Sequence, residues 1–118
     1  MIKVNEETME ITITRGDTGK VRVEVKVDDE HYDPQPGDIV RFSVKKNVFT
    51  GKEYKKYVDP DPLIEKIIPN DTLVLELEPE DTKPLDFGLY AYNVELIWAD
   101  GTVDTFIKAK LRVTEETN

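Results

Sequence analysis

The chain has 118 residues, 38% of them hydrophobic and 35% charged, with a formal net charge of −9 and no cysteine. This is the profile of one folded domain with a modest core. It leaves no disulfide scaffold, thiolate nucleophile or cysteine-ligated metal, and the acidity argues against nucleic-acid binding, which needs Lys and Arg to displace counterions.

At the N-terminus, "MIKVNEETMEITIT" lacks the apolar region of a secretory signal. No later run approaches the roughly 20 apolar residues that span a bilayer, so neither export nor a membrane partner is expected. Residues 1–8 and 116–118 read as flexible, around a single domain core at about 9–115. Met9, Ile11 and Ile13 alternate with Glu10, Thr12 and Thr14, the period-two pattern of a half-buried strand. Arg15, Gly16, Asp17 and Thr18 follow. Arg-Gly-Asp is a tripeptide that integrins read, but here it lies between two strands and must reverse the chain. Gly16 and Gly19 supply the permissive backbone, and Asp17 or Thr18 can accept amide hydrogen bonds. These residues are therefore expected as a structural turn rather than an adhesion site.

"VRVEVKV" then puts Val21, Val23, Val25 and Val27 on one face and Arg22, Glu24 and Lys26 on the other. "DDEHYDPQPGD" is rich in turn formers, with Pro34 and Pro36 confining it to a loop or an edge. Val40, Phe42 and Val44 resume the alternation. "NVFTGKEYKKYVDPDP" reads as a loop or frayed edge strand whose lysines hinder intermolecular pairing. "LIEKIIP" and "TLVLELE" read as two short strands around Pro69-Asn70-Asp71. "PEDTKPLD" reads as a helical turn or polar crossover, its prolines excluding a long helix.

The last third, "LYAYNVELIWADGTVDTFIKAKLRV", is predicted as two long strands joined by a type I′ turn at Asp100-Gly101. A two-residue turn sets Trp98 opposite Val103, Leu96 opposite Thr105, Val94 opposite Ile107, Tyr92 opposite Ala109 and Tyr90 opposite Leu111. All of these fall on one face, so turn and pattern agree on the register. The other face brings Ile97 and Phe106 together as diagonal neighbours beside a basic stripe of Lys108, Lys110 and Arg112. That combination is a candidate self-association patch on an acidic protein.

Short alternating strands, turn signals and no periodic helix predict an all-β fold, an immunoglobulin-like antiparallel β-sandwich of about seven strands. Asp86, Gly88 and Tyr90, in "DFGLY", match the tyrosine corner of such domains, in which the hydroxyl bonds back to nearby backbone. Neither the disulfide nor the central tryptophan of antibody domains is present.

Chemistry is sparse. His31 has no second histidine with which to build a metal site. Ser43 lies in a predicted strand without a Gly-x-Ser-x-Gly elbow. Asp59 and Asp61, or Glu80 and Asp81, could touch calcium through oxygen, but neither loop has EF-hand spacing and both read as solvated turns. No catalytic, cofactor or metal residue is assigned, and the protein is not expected to be an enzyme. An alternative is a carbohydrate-binding module using Tyr54, Tyr57 and Trp98 as platforms, with Asp59 and Asp61 as calcium or hydroxyl ligands.

Several segments, in order, carry a resemblance: "ITITRGDTGKVRVEV", "GDIVRFSVKKN", "PLIEKIIP", "TLVLELEPEDTKPLDFGLYAYNVELIWADGTVDTFI" and "KLRVTEET". Together they resemble the small immunoglobulin-like β-sandwich structural proteins of tailed phages and prophages of low-GC Gram-positive bacteria. That group includes the N-terminal domain of phage baseplate upper proteins. The similarity spans about residues 9–115. Its most telling motifs are the Arg-Gly-Asp-Thr turn at 15–18, Pro79-Glu80-Asp81-Thr82 and the Gly-x-Tyr-x-Tyr entry at 88–92. The resemblance implies a non-enzymatic virion component of the tail, baseplate or head–tail region, without cofactor. Its partners would be other virion proteins or further copies of itself, and it would reside in the virion, or in the bacterial cytoplasm where it is made. Unlike larger relatives the chain ends directly after the sandwich, which favours a stand-alone subunit over a fibre or receptor-binding role.

Overall fold

A computed structural model of the protein describes residues 2–50 and 55–115, and the side chains of 2–46 and 61–115. Ten strands and one helical turn follow in chain order among the described residues. They are β1 (Ile2–Val4), β2 (Ile11–Thr14), β3 (Gly19–Arg22), β4 (Lys26–Val27), β5 (Glu30–His31), β6 (Ile39–Thr50), β7 (Lys55–Ile68), β8 (Val74–Leu77), α1 (Pro79–Thr82), β9 (Gly88–Ile97) and β10 (Val103–Thr114). The fold is all-β and sandwich-like. One layer is a six-stranded sheet in the order β1-β2-β10-β9-β6-β7; the other is made of the pairs β3–β8 and β4–β5. The very short β1, β4 and β5 bring the count above the seven expected. The pair β2–β10 is parallel and the remaining pairs are antiparallel.

Alternation decides which side chains fill the space between the layers. From the large sheet, Ile11, Ile13, Val40, Phe42, Val44, Tyr92, Val94, Leu96, Leu111 and Val113 are buried. They meet Val23, Val25, Leu75, Leu77 and Leu85 of the other layer in one core. Each fully buried aliphatic or aromatic side chain contributes about 1.5–3 kcal/mol relative to exposure, so this interlayer contact is the main source of stability.

"VRVEVKV" keeps its burial alternation but does not pair as one strand. Val21 and Arg22 belong to β3 opposite Leu75 and Val74. The Val23 amide then donates to the Leu73 carbonyl at 2.8 Å, and the Tyr32 amide donates to the Val25 carbonyl at 2.9 Å. The segment thus changes partner from the β8 side to the β5 side. Asp28 and Asp29, both with positive φ, close a tight β4–β5 hairpin; Asp tolerates this conformation better than most residues.

The final hairpin departs from the predicted turn. The Gly101 amide donates to the Trp98 carbonyl and the Trp98 amide to the Thr102 carbonyl, both at 2.8 Å. The loop therefore has three residues, with Gly101 at φ +93 and Asp100 outside the left-handed region that a type I′ turn demands. Val103, Asp104 and Thr105 consequently sit opposite Ile97, Leu96 and Glu95, one residue away from the expected register. A bulge between Thr105 and Ile107 restores it, and from Ile107 opposite Val94 to Leu111 opposite Tyr90 the pairs are those predicted. Phe106 is the extra residue.

Candidate interaction surface

Strand register places one set of side chains on the outer side of the large sheet, away from the core. Val103 of β10 faces Ile97 of β9, and Ile97 faces Ile39 of β6. Ile67 of β7 lies opposite Arg41, diagonal to Ile39. These four form an apolar row across four adjacent strands near the β9–β10 tip. Ile39 is 41%, Val103 52% and Ile67 62% exposed, and Ile97 is half-buried between its neighbours.

The next row is ionic. Arg41 Nη2 reaches Glu95 Oε2 at 3.2 Å and its Nη1 reaches Glu65 Oε1 at 3.5 Å. Beyond it Ser43 lies opposite Asn93, and Asn93 opposite Lys108. The Arg41 Nε and the Asn93 Oδ1 are both buried without a hydrogen-bond partner among the described residues. Two complementary groups, a donor and an acceptor, thus sit unpaired in one region of the outer face. Leaving such a group unmade costs about 1–3 kcal/mol.

The far end is basic. Lys45, Ala91 and Lys110 form one cross-strand row, and Arg112 lies opposite Leu89 on one side and Thr12 on the other. Lys108, Lys110 and Arg112 are exposed and lie on the face expected of them. Phe106 does not. As the bulged residue it is half-buried and packs against the core, so it is not the outer-face neighbour of Ile97. Val103 and Ile39 take that place.

The Arg-Gly-Asp turn is built into the fold. The Asp17 amide donates to the Thr14 carbonyl at 3.1 Å, with Gly16 at φ +84, as a type II turn needs at its third position. The Gly16 amide donates to Oγ1 of fully buried Thr82 at 2.8 Å. The Arg15 guanidinium lies 4.5 Å over the Phe87 ring, with Nη1 3.5 Å from the Leu85 carbonyl. Arg15, Gly16 and Asp17 are half-buried, and Thr18 is exposed. The turn is docked on the segment from α1 to β9. That segment is itself pinned: Asp81 Oδ2 accepts from the Glu78 amide at 2.7 Å and pairs with Lys66 at 2.8 Å. At its end the Tyr90 hydroxyl donates to the Asp86 carbonyl at 2.7 Å, and Gly88 has φ +140.

Asp38, which the sequence did not single out, is a carboxylate bound from three directions. Its Oδ2 accepts from the Tyr32 hydroxyl at 2.6 Å and the Gln35 amide at 2.9 Å, and its Oδ1 from the Ala99 amide at 3.3 Å. These bonds, the Tyr32 hydroxyl first, hold its carboxyl below the usual carboxylate range. Trp98 packs on Tyr32 at 4.8 Å between ring centres and is half-buried, which engages one face of the predicted sugar platform.

The remaining chemistry-bearing residues stay apart. His31 is exposed on β5 beside Asp33 (2.7 Å), and Ser43 is buried in β6. Asp61 and Glu80 are exposed. Tyr54 and the side chains of Tyr57 and Asp59 lie outside the described residues. Among the described residues no group of three or more His, Asp or Glu side chains could hold a metal ion, and no helix is long and apolar enough to cross a membrane.

Of the apolar row, sequence reasoning found Ile97 and missed Ile39, Ile67 and Val103. Their alternation with buried neighbours, as in Ile39-Val40 and Ile67-Ile68, marks opposite faces; that they adjoin one another depends on long-range pairing. No protein-family model matches the chain, and no curated protein matches it at a significant level.

Proposed function

We propose that the protein is a non-enzymatic structural subunit of a tailed-phage or prophage particle, acting through protein–protein contacts made by the outer face of its large sheet. The observation that carries the contact reading is the exposed row of Val103, Ile97, Ile39 and Ile67. Isolated exposed apolar residues are ordinary, but a contiguous row rimmed by charged residues has the anatomy of an interface core and its rim.

The particle assignment rests on the sequence resemblance. Its motifs fall on the 15–18 turn, the 79–82 crossover and the 88–92 strand entry, which hold the layers together. They therefore support a shared architecture, and the outer face is left to set the partner. On this reading the protein resides in the virion, in the tail, baseplate or head–tail region, and in the bacterial cytoplasm during synthesis.

The test is incorporation. Particles purified by density gradient from a producing strain are expected to contain the chain by mass spectrometry. Ile67→Glu, whose side chain is exposed in the free protein, is expected to fold normally and be depleted from particles at least about tenfold. Absence of the wild-type chain from particles would contradict the assignment.

A further inference from the structure

Among the described side chains, the two broad sides of the sandwich carry opposite charge. The outer face of the large sheet presents Lys45, Lys108, Lys110 and Arg112, while its carboxylates Glu65 and Glu95 both reach Arg41. The opposite layer presents Glu24 on its outward side and Asp28, Asp29 and Asp33 at the β4–β5 hairpin, all exposed, while Glu30 lies opposite Val27 on the core-facing side. Of the cations in that layer, Lys20 reaches Glu76 at 3.7 Å and Lys26 reaches Glu24 at 3.8 Å, leaving Arg22 against the acidic hairpin. A chain of net charge −9 thus has one basic side.

We propose that the occupant of the outer face is a second copy of this chain, docked through its acidic opposite layer, so that copies stack head to tail. The proposal rests on the reading of the outer face as a contact surface and names its partner. Charge complementarity favours this arrangement over a two-fold contact of the outer face with itself. A two-fold axis parallel to the strands brings Lys108 and Lys110 of both copies together, which like charges oppose. An axis across the strands through the centre of the face sets the apolar row of each copy on the basic end of the other, and one through the row itself leaves the basic ends of both copies without a partner. In the head-to-tail contact the basic end meets the acidic hairpin, which orients the approach and speeds encounter, and the apolar row supplies the water-excluding area. Each docked copy still has one free side, so the contact propagates to a ring or a filament.

Sedimentation velocity over a concentration series in low salt tests this, with near-ultraviolet circular dichroism checking the fold. Lys108→Gln/Lys110→Gln neutralises the basic side, and Glu24→Gln/Asp29→Asn neutralises the acidic side. The wild-type chain is expected to grow past dimer with concentration, and each variant alone to associate at least about tenfold more weakly. An equimolar mixture of the two variants is expected to recover association but stop at a one-to-one pair, because each contributes one intact side. Carbodiimide cross-linking of the wild-type chain is expected to join Lys108 or Lys110 to a carboxylate in 24–33, a result independent of how the variants fold. A wild-type chain that stays monomeric at every concentration overturns the proposal. So does an acidic-side variant that associates like wild type, or a mixture that fails to pair. None of these results depletes the chain from particles, so the incorporation experiment still decides separately whether the outer face serves a different protein.

Discussion

The Tyr32 hydroxyl donates a 2.6 Å hydrogen bond to Asp38 Oδ2, and this pair ties three loops into one knot. Asp38 also receives the Gln35 amide from its own loop and the Ala99 amide from the β9–β10 tip. Its carbonyl accepts from Asn70 Nδ2 at 2.8 Å, which adds the β7–β8 connection. The knot lies directly beside Ile39 and fixes the tip that carries Ile97 and Val103, so the apolar row depends on it.

Asp38→Asn is therefore expected to lower stability at neutral pH and to blunt acid sensitivity. The folded carboxyl is held below its ordinary value, by the Tyr32 bond above all. Its contribution is fully present above the unfolded value of about 4 and is lost as pH falls through the folded one. Urea midpoints at pH 7 and pH 3 should differ more for wild type than for the variant. Equal differences would contradict this role.

Tyr92 contributes to the alkaline limit. Its hydroxyl donates to the Met9 carbonyl, and burial pushes its pKa up to about 12. A raised folded value means that stabilisation is complete below the unfolded pKa of about 10 and declines as pH rises towards 12. Tyr92→Phe should lose about 1 kcal/mol at pH 7 and show a shallower loss of stability between pH 10 and 12. An unchanged alkaline profile would contradict the assignment.

Thr82→Val keeps the side-chain shape but removes the acceptor of the Gly16 amide. The stranded donor should cost about 1–3 kcal/mol, measured by urea unfolding. Amide exchange at Gly16 should also accelerate, whereas a structurally idle Arg-Gly-Asp turn would show neither effect.

Gly19 is packed rather than flexible. A Cβ there would stand 2.7 Å from Ile2 Cδ1 and 3.3 Å from Ile13 Cδ1. Gly19→Val should cost about 1–3 kcal/mol by overpacking and dislodge β1, seen as lost amide protection at residues 2–4. Retained protection would show that the site can accommodate the branch.

Faces were legible in the sequence, and neighbours were legible where the chain turns back on itself. Val23 and Val25 are buried as alternation demands, yet their ladder switches partner, which side-chain periodicity does not encode. The pairs from Val94–Ile107 to Tyr90–Leu111 were predicted from a two-residue turn; the three-residue loop and the bulge at Phe106 shift the register in opposite senses and cancel. Between those two irregularities the prediction failed, and with it the position of Phe106. The Asp28-Asp29 hairpin falls in a stretch that reads as turn-forming, but neither residue is the glycine that marks a two-residue hairpin turn. The apolar row and the Asp38 knot were hidden for one reason: each joins residues up to about sixty positions apart, through β6–β9 pairing or loop-to-loop hydrogen bonds.

In the assembled particle the outer face of the large sheet is expected to be buried by protein. Hydroxyl-radical footprinting of the chain, free and in purified particles, measures this at Ile39, Ile67 and Val103. These side chains should be oxidised in the free chain and protected in particles, while exposed Phe87, away from that face, changes little. Equal oxidation of Ile39, Ile67 and Val103 in both states would contradict this burial.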